Sequence, residues 1–225
     1  MRRSLAGTIA VALAIVPSLV LWAVPVAGAR PLRDRVQSAG IPRGRYAIGD
    51  SVMLGAAREL RDRGIRVDAD ISRQFDDAVP IVRQMAASGH LPDRVIVHLG
   101  NNGLIDGDDC DRLVRVAGPG RRVFLVTVKV PRSYRDPNNR RLHRCARRHD
   151  TAFIIDWYLH SRYHRNWFYA DGFHLRPLGQ RRYAAFIGAG SRSAGPRGSR
   201  GRREPSLDSS RWPARADEGA RLESV

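Results

Sequence analysis

The sequence predicts an α/β fold, a three-layer α/β/α sandwich on a mostly five-stranded parallel sheet of the flavodoxin-like kind. Three observations predict it. Short, nearly continuous apolar runs recur between residues 45 and 155, as strands covered on both faces require. Stretches with helical spacing separate those runs. Polar motifs come directly or shortly after the first, third and fifth runs, so they converge beyond the carboxyl edge of one sheet, where such folds bind ligands.

The elements follow in order. Residues 45–48 form the first strand, and residues 51–63 a helix with Leu54, Ala57 and Leu60 along one face. Residues 65–69 are the second strand. Residues 76–87 read as a helix, with Pro80 counting against its first turn. Residues 95–99, Val-Ile-Val-His-Leu, are a buried strand, followed by a short helix at 108–116 and another apolar strand at 123–128. Residues 138–148 are a helix with Leu142 and Cys145 inward. Residues 153–155 are the fifth strand, and 178–187 the closing helix with Tyr183, Phe186 and Ile187 inward.

The chain has 225 residues, 43% of them apolar, enough for one domain with a real core. Its ends are different. Arg2 and Arg3 precede an apolar run from about Ile9 to Val26, and Ala27-Gly28-Ala29 reads as a signal-peptidase site. Residues 1–29 are therefore expected to be an export signal cleaved after Ala29. An uncleaved anchor is the alternative, which Pro17 and Pro25 weaken. Residues 30–44 read as a linker, 45–190 as the folded domain, and 191–225 as a disordered Arg/Gly/Ser/Pro-rich tail. Trp212 is the only large aromatic of that tail, which is either inert or a surface attachment.

The formal net charge is +17, or 17 − 2 = +15 without Arg2 and Arg3. Lys129 is the only lysine, a bias that fits GC-rich codons better than selection for a partner. No zinc-finger spacing or aromatic RNA-binding signature occurs, so nucleic acid is not the expected partner. Anionic cell-wall polymer or lipid headgroups fit an exported basic protein better. Cys110 and Cys145 read as a disulfide in an oxidising compartment, against two separate buried thiols. They lack the paired spacing of a metal site. A monomer is expected.

The motifs carry the chemistry. Gly49-Asp50-Ser51 opens a helix, Gly100-Asn101-Asn102-Gly103 follows the third strand, and Asp171-Gly172-Phe173-His174 lies near the end of the domain. Each alone is an ordinary turn or cap. Together they supply a nucleophilic serine, an amide donor for an oxyanion, and a base with its orienting carboxylate. Such acyl transfer needs no metal or organic cofactor.

The motifs resemble the SGNH (GDSL-type) hydrolase superfamily, and most closely the extracytoplasmic domain at the end of peptidoglycan O-acetyltransferases and related membrane acyltransferases. The similar stretches are 48–56, 95–103 and 167–175, within coverage of about 45–187. The resemblance implies Ser51 as nucleophile, His174 as base, Asp171 as its orienting partner, and Asn102 with the Ser51 amide as oxyanion hole. Two departures stand out. The superfamily's second-block glycine is missing from Ile71-Ser72-Arg73-Gln74, where the Arg73 N–H could serve instead. The multi-pass membrane domain is also missing, so an acyl donor made inside the cell would need a separate membrane transporter.

Among other polar residues, Asp156 is a rival orienting carboxylate, and Asn138 and Asn139 read as helix caps or substrate contacts. His98 reads as a core or supporting histidine rather than a base. Two functions of different class follow. One is an exported serine esterase or O-acyltransferase, acting on an acylated glycan of the cell envelope or a small ester. The other is a non-catalytic basic wall-binding protein on the same scaffold.

Overall fold

The computed structural model describes residues 40–193. The expected signal at 1–29, most of the linker at 30–44, and the tail with Trp212 lie outside the described residues. The elements are β1 (Arg45–Gly49), α1 (Ser51–Gly55), α2 (Ala57–Arg61), β2 (Arg66–Ala69), α3 (Ala78–Ala87), β3 (Arg94–His98) and α4 (Asp109–Ala117). They continue with β4 (Arg122–Val126), α5 (Arg135–Arg148), β5 (Ala152–Ile155), α6 (Trp157–Ser161), a 3₁₀ turn at Arg165–Trp167, and α7 (Pro177–Ser193). The five strands pair in the order β2-β1-β3-β4-β5, all parallel, as the apolar runs predict.

Alternate strand residues serve opposite faces. Tyr46, Ile48, Val95, Val97, Val123 and Leu125 pack with residues of α3, α4 and α5 in one cluster. Ala47, Ile96, Phe124 and Val126 pack with residues of α1, α2, α6 and α7 in the other. Cys110 of α4 and Cys145 of α5 form a disulfide across 35 residues of sequence. Closing a loop of that length stabilises the fold by about 4 kcal/mol on the chain-entropy account.

Several local expectations are corrected. The helix expected at 51–63 is broken at Ala56, whose φ of −102° and ψ of 10° leave the helical region. Gly55 is a poor helix former, and the Ala56 N–H closes a tight turn on the Met53 carbonyl. The break turns Leu54 outward, 38% exposed, while Val52, Met53, Ala56, Ala57 and Leu60 are buried. The helix expected from Asn138 begins at Arg135, because Pro137 sits in a first turn that needs no N–H from it. The closing helix runs through buried Ser191 to Ser193.

Candidate active site

Ser51 is the first residue of α1, directly beyond the carboxyl end of the inner strand β1. Its tight placement depends on Gly49, where a Cβ would collide with the Met53 side chain one turn into α1. Asp50 caps the helix, its buried carboxylate accepting from the Val52 N–H at 3.0 Å. At the first helical position the Ser51 N–H has no intrahelical acceptor and lies at the positive end of the helix.

Asp171 and His174 come from a short hairpin. Phe168 and Leu175 form an antiparallel bridge, and the Tyr169 N–H donates to the His174 carbonyl at 2.9 Å. Its base is seated by Gly179 of α7, where any Cβ would strike the Trp167 carbonyl oxygen. Within the hairpin, Asp171 Oδ1 accepts from the amides of Phe173 and His174, both at 3.0 Å. Its Oδ2 lies 2.7 Å from His174 Nδ1. His174 Nε2 lies 2.9 Å from Ser51 Oγ. A proton on Nδ1, donated to Asp171, leaves Nε2 as the acceptor facing the serine. Burial pushes the Asp171 carboxyl up, but the amide of Phe173 and both the ring and amide of His174 outweigh it, holding it below the usual carboxylate range.

The loop at 100–103 brings Asn102 to the neighbouring 71–74 turn, where Asn102 Nδ2 donates to the Arg73 carbonyl at 3.3 Å. An amide nitrogen has two hydrogens, so this bond leaves a second donor. Arg73 is itself tied down, its guanidinium donating to the Asp68 carboxylate and the Asp68 carbonyl, each at 2.8 Å. Ser72, standing in the stretch that lacks the expected glycine, has φ of 60°, the left-handed region glycine favours.

Asn138 and Asn139 are neither caps nor exposed contacts. They are buried in α5 and reach out to loop backbone. Asn138 Nδ2 donates to the carbonyls of Gly100 at 2.9 Å and Gly103 at 2.7 Å, and its Oδ1 accepts from the Ile105 N–H at 2.8 Å. Asn139 bonds both the N–H and the carbonyl of Val128. Asp156 caps α6 and accepts from Thr127 Oγ1 at 2.8 Å, so it is not the carboxylate that meets His174. His98 is buried with Nδ1 2.8 Å from the Tyr183 hydroxyl, and burial pushes it down to about 3. It therefore stays neutral.

Sequence reasoning passed over the wider support of the site. Asn101 Nδ2 donates to Asp50 at 2.9 Å, and the Tyr134 hydroxyl donates to the Asn101 carbonyl at 2.9 Å. Burial raises the Asp50 carboxyl against the hydrogen bonds of Asn101 and Val52. The adjacent asparagines at 101–102 and 138–139 were the available signal, since buried amides need partners. A cluster of Asp111, Cys145 and His149 brings metal-type ligands together, but Cys145 is in the disulfide and Asp111 accepts from Arg148 and His149.

No protein-family model matches the chain. It is 31% identical over 137 residues to the Staphylococcus aureus (strain NCTC 8325 / PS 47) O-acetyltransferase OatA, covering 60% of this chain and 23% of that protein. It is 30% identical over 143 residues, 63% of this chain and 22% of the other, to Bacillus subtilis (strain 168) YrhL, which carries a provisional peptidoglycan O-acetyltransferase name. The match thus spans under a quarter of these relatives. Among solved structures, the C-terminal catalytic domain of Streptococcus pneumoniae peptidoglycan O-acetyltransferase A, bearing a methylsulfonyl adduct, superposes with a TM-score of 0.63 at 25% identity. That match covers 69% of this chain and 96% of the domain. A carbohydrate esterase family 3 structure from Talaromyces cellulolyticus shares the fold, with a TM-score of 0.53 at 14% identity over 65% of this chain and 95% of that one. The resemblance to peptidoglycan O-acetyltransferases holds in both sequence and fold.

Proposed function

We propose that this chain is an exported serine-dependent acyl-ester enzyme, an esterase or O-acyltransferase acting on acetyl groups of a cell-envelope glycan. The observation that carries the reading is the continuous relay from Ser51 Oγ through His174 to Asp171, at 2.9 Å and 2.7 Å. Its position at a helix N-terminus beyond a parallel sheet supports it further. The likeness to O-acetyltransferase catalytic domains supports the choice of acetyl ester and glycan. The export signal read at residues 1–29 supports an extracytoplasmic site of action.

In this mechanism Ser51 Oγ attacks the ester carbonyl carbon as His174 Nε2 accepts its proton. The carbonyl oxygen becomes an oxyanion held by the Ser51 N–H, the free hydrogen of Asn102 Nδ2 and the Arg73 N–H. Asp171 fixes the imidazole tautomer and stabilises the imidazolium. Collapse expels the alcohol, which takes the proton from His174, and leaves an acyl group on Ser51. Water or a sugar hydroxyl then gives its proton to His174 and attacks the acyl carbon, releasing acid or a new ester.

The test pairs a fluorophosphonate probe with a chromogenic acetyl ester, assayed with and without a sugar acceptor. Covalent labelling at Ser51 is expected. Ser51→Ala should lower turnover by roughly 10⁶-fold in correctly folded protein. Labelling elsewhere, or no turnover in either assay, would sink the reading and leave a wall-binding protein on an enzyme scaffold.

A further inference from the structure

Lys129 stands three residues past β4 and is the only lysine of a chain otherwise furnished with arginine. Its aliphatic stem and ammonium are half-buried rather than solvated. The Nζ donates to the carbonyl of Gly172, the residue between Asp171 and the Phe173-His174 pair. The same Nζ lies 3.9 Å from the centroid of the Phe168 ring at the base of the hairpin. One ammonium therefore holds both the tip and the base of the hairpin that carries Asp171 and His174. The compact ammonium suits this place. A guanidinium is broader, planar and forked, and bonds and stacks along its plane.

We propose, building on the catalytic reading above, that Lys129 is a positioning residue. It pins the hairpin that carries Asp171 and His174 to the end of the sheet, so that His174 Nε2 is held within reach of Ser51 Oγ. The surrounding charges are few. Arg135 of α5 and Asp171 of the hairpin face Lys129. Asp171 and Asp50, from the β1–α1 turn, face His174. Burial, then Arg135, pushes the lysine down, while Asp171 draws it up.

The tip is also held by Phe173, which packs against the core, and by the bond of His174 to Ser51, while its carboxylate and imidazole stand open. Asp171 and His174 are themselves about 40% and 39% exposed in their side chains. Gly172 has φ of 78° and nothing within 4 Å of where its Cβ would be. The Lys129 bond ties the Gly172 carbonyl at the turn to the segment that follows β4. Freeing it would let Nε2 drift from Ser51 Oγ. A misplacement of about 1 Å can cost roughly 10²-fold in rate.

The test uses Lys129→Met, which keeps the stem and removes the charge and donor, and Lys129→Arg, which restores the charge in a different shape. Two readouts are followed: hydrogen exchange of the Phe173 and His174 amides that bond Asp171, and kcat and KM for a small acetyl ester. In Lys129→Met those amides should exchange faster, and kcat should fall by roughly 10–10²-fold with a smaller change in KM. Lys129→Arg should recover only part of both, because the broader guanidinium does not reproduce the compact contact. Amide exchange unchanged in Lys129→Met, or a KM that rises while kcat holds, overturns the proposal. The exchange readout needs no turnover. Faster exchange in Lys129→Met, when the wild type neither turns over ester nor labels at Ser51, would uphold the pinning and defeat the enzymatic reading.

Discussion

The loop at 100–105 and the hairpin at 168–175 both serve the turn that carries Ser51, yet they rest on different supports. The loop is threaded onto buried amides: Asn138 takes three of its backbone groups, and Tyr134 takes a fourth at Asn101. The hairpin keeps Phe168 and Leu175 in the core but carries Asp171 and His174 out toward solvent, closed by its own backbone bonds and tied at its tip by Lys129. The difference matches the two jobs. Oxyanion donors work by being fixed before charge appears, so their support belongs in the core. A base must exchange protons with incoming and leaving groups, so its ring is left partly open to solvent.

The largest expected effect breaks the exposed side. Asp171→Asn should lower kcat by about 10⁴-fold, because an amide no longer enforces the Nδ1–H tautomer of His174. His174→Ala should cost more, roughly 10⁶-fold. Because the Asp171 and His174 side chains are 40% and 39% exposed, thermal unfolding should change little in either variant. A melting temperature that collapses in Asp171→Asn would show the hairpin to be a structural element, and the contrast with the loop would fail.

The buried side should respond in the opposite way. Asn102→Ala should lower kcat by roughly 10²–10³-fold with a smaller effect on KM and little loss of stability. Asn138→Ala touches no substrate but strands Gly100 O, Gly103 O and the Ile105 N–H. At about 1–3 kcal/mol for each unpaired buried group, the loss should reach roughly 3–5 kcal/mol. Melting should fall by roughly 10 °C. Equal melting temperatures in the two variants would remove the distinction between donor and brace.

How far this architecture was legible depends on range. Apolar runs such as Val95-Ile96-Val97 announced a sheet covered on both faces, because strand burial is written in contiguous residues. The three motifs announced their common edge by following strands. The helices α6 and the 3₁₀ turn at Arg165–Trp167 were not foreseen, being too short for a 3.6-residue period to appear. Asn138 and Asn139 read as helix caps or substrate contacts; only the approach of Gly100 and Val128, from other parts of the chain, gives them their buried backbone partners. Lys129 meets Gly172 across 43 residues, a distance over which no local pattern speaks.

Acid sharpens the comparison on a smaller scale. Asp171 is held below the usual carboxylate range in the folded state, so its ionised form favours folding. That contribution is present above about pH 4, the unfolded carboxylate value, and is lost as pH falls through the lower folded value. Wild-type melting should therefore drop between about pH 4 and pH 2 slightly more steeply than that of Asp171→Asn, whose side chain does not titrate. Parallel curves would mean that the hairpin's hydrogen bonds do not couple to global stability at all.

The smallest effect tests whether the oxyanion side is as stiff as its bonding implies. Ser72 holds φ of 60° beside Arg73, whose carbonyl receives Asn102. Holding a non-glycine residue there costs about 1–2 kcal/mol. Ser72→Gly removes that cost but gives the unfolded chain more freedom, worth roughly 0.5–1 kcal/mol in the other direction. Stability should therefore stay within about 0.5 kcal/mol of the wild type, with kcat unchanged. Ser72→Val places a β-branched side chain in the same backbone region, where it is a true outlier. It should destabilise by roughly 1–3 kcal/mol and lower kcat by less than Asn102→Ala does, since the donor survives but its seat on Arg73 moves. The two variants bracket the backbone conformation itself, because glycine tolerates it and valine does not. If Ser72→Val folds and turns over like the wild type, the 71–74 turn relaxes freely, and the loop side of the site has no more rigidity than the hairpin.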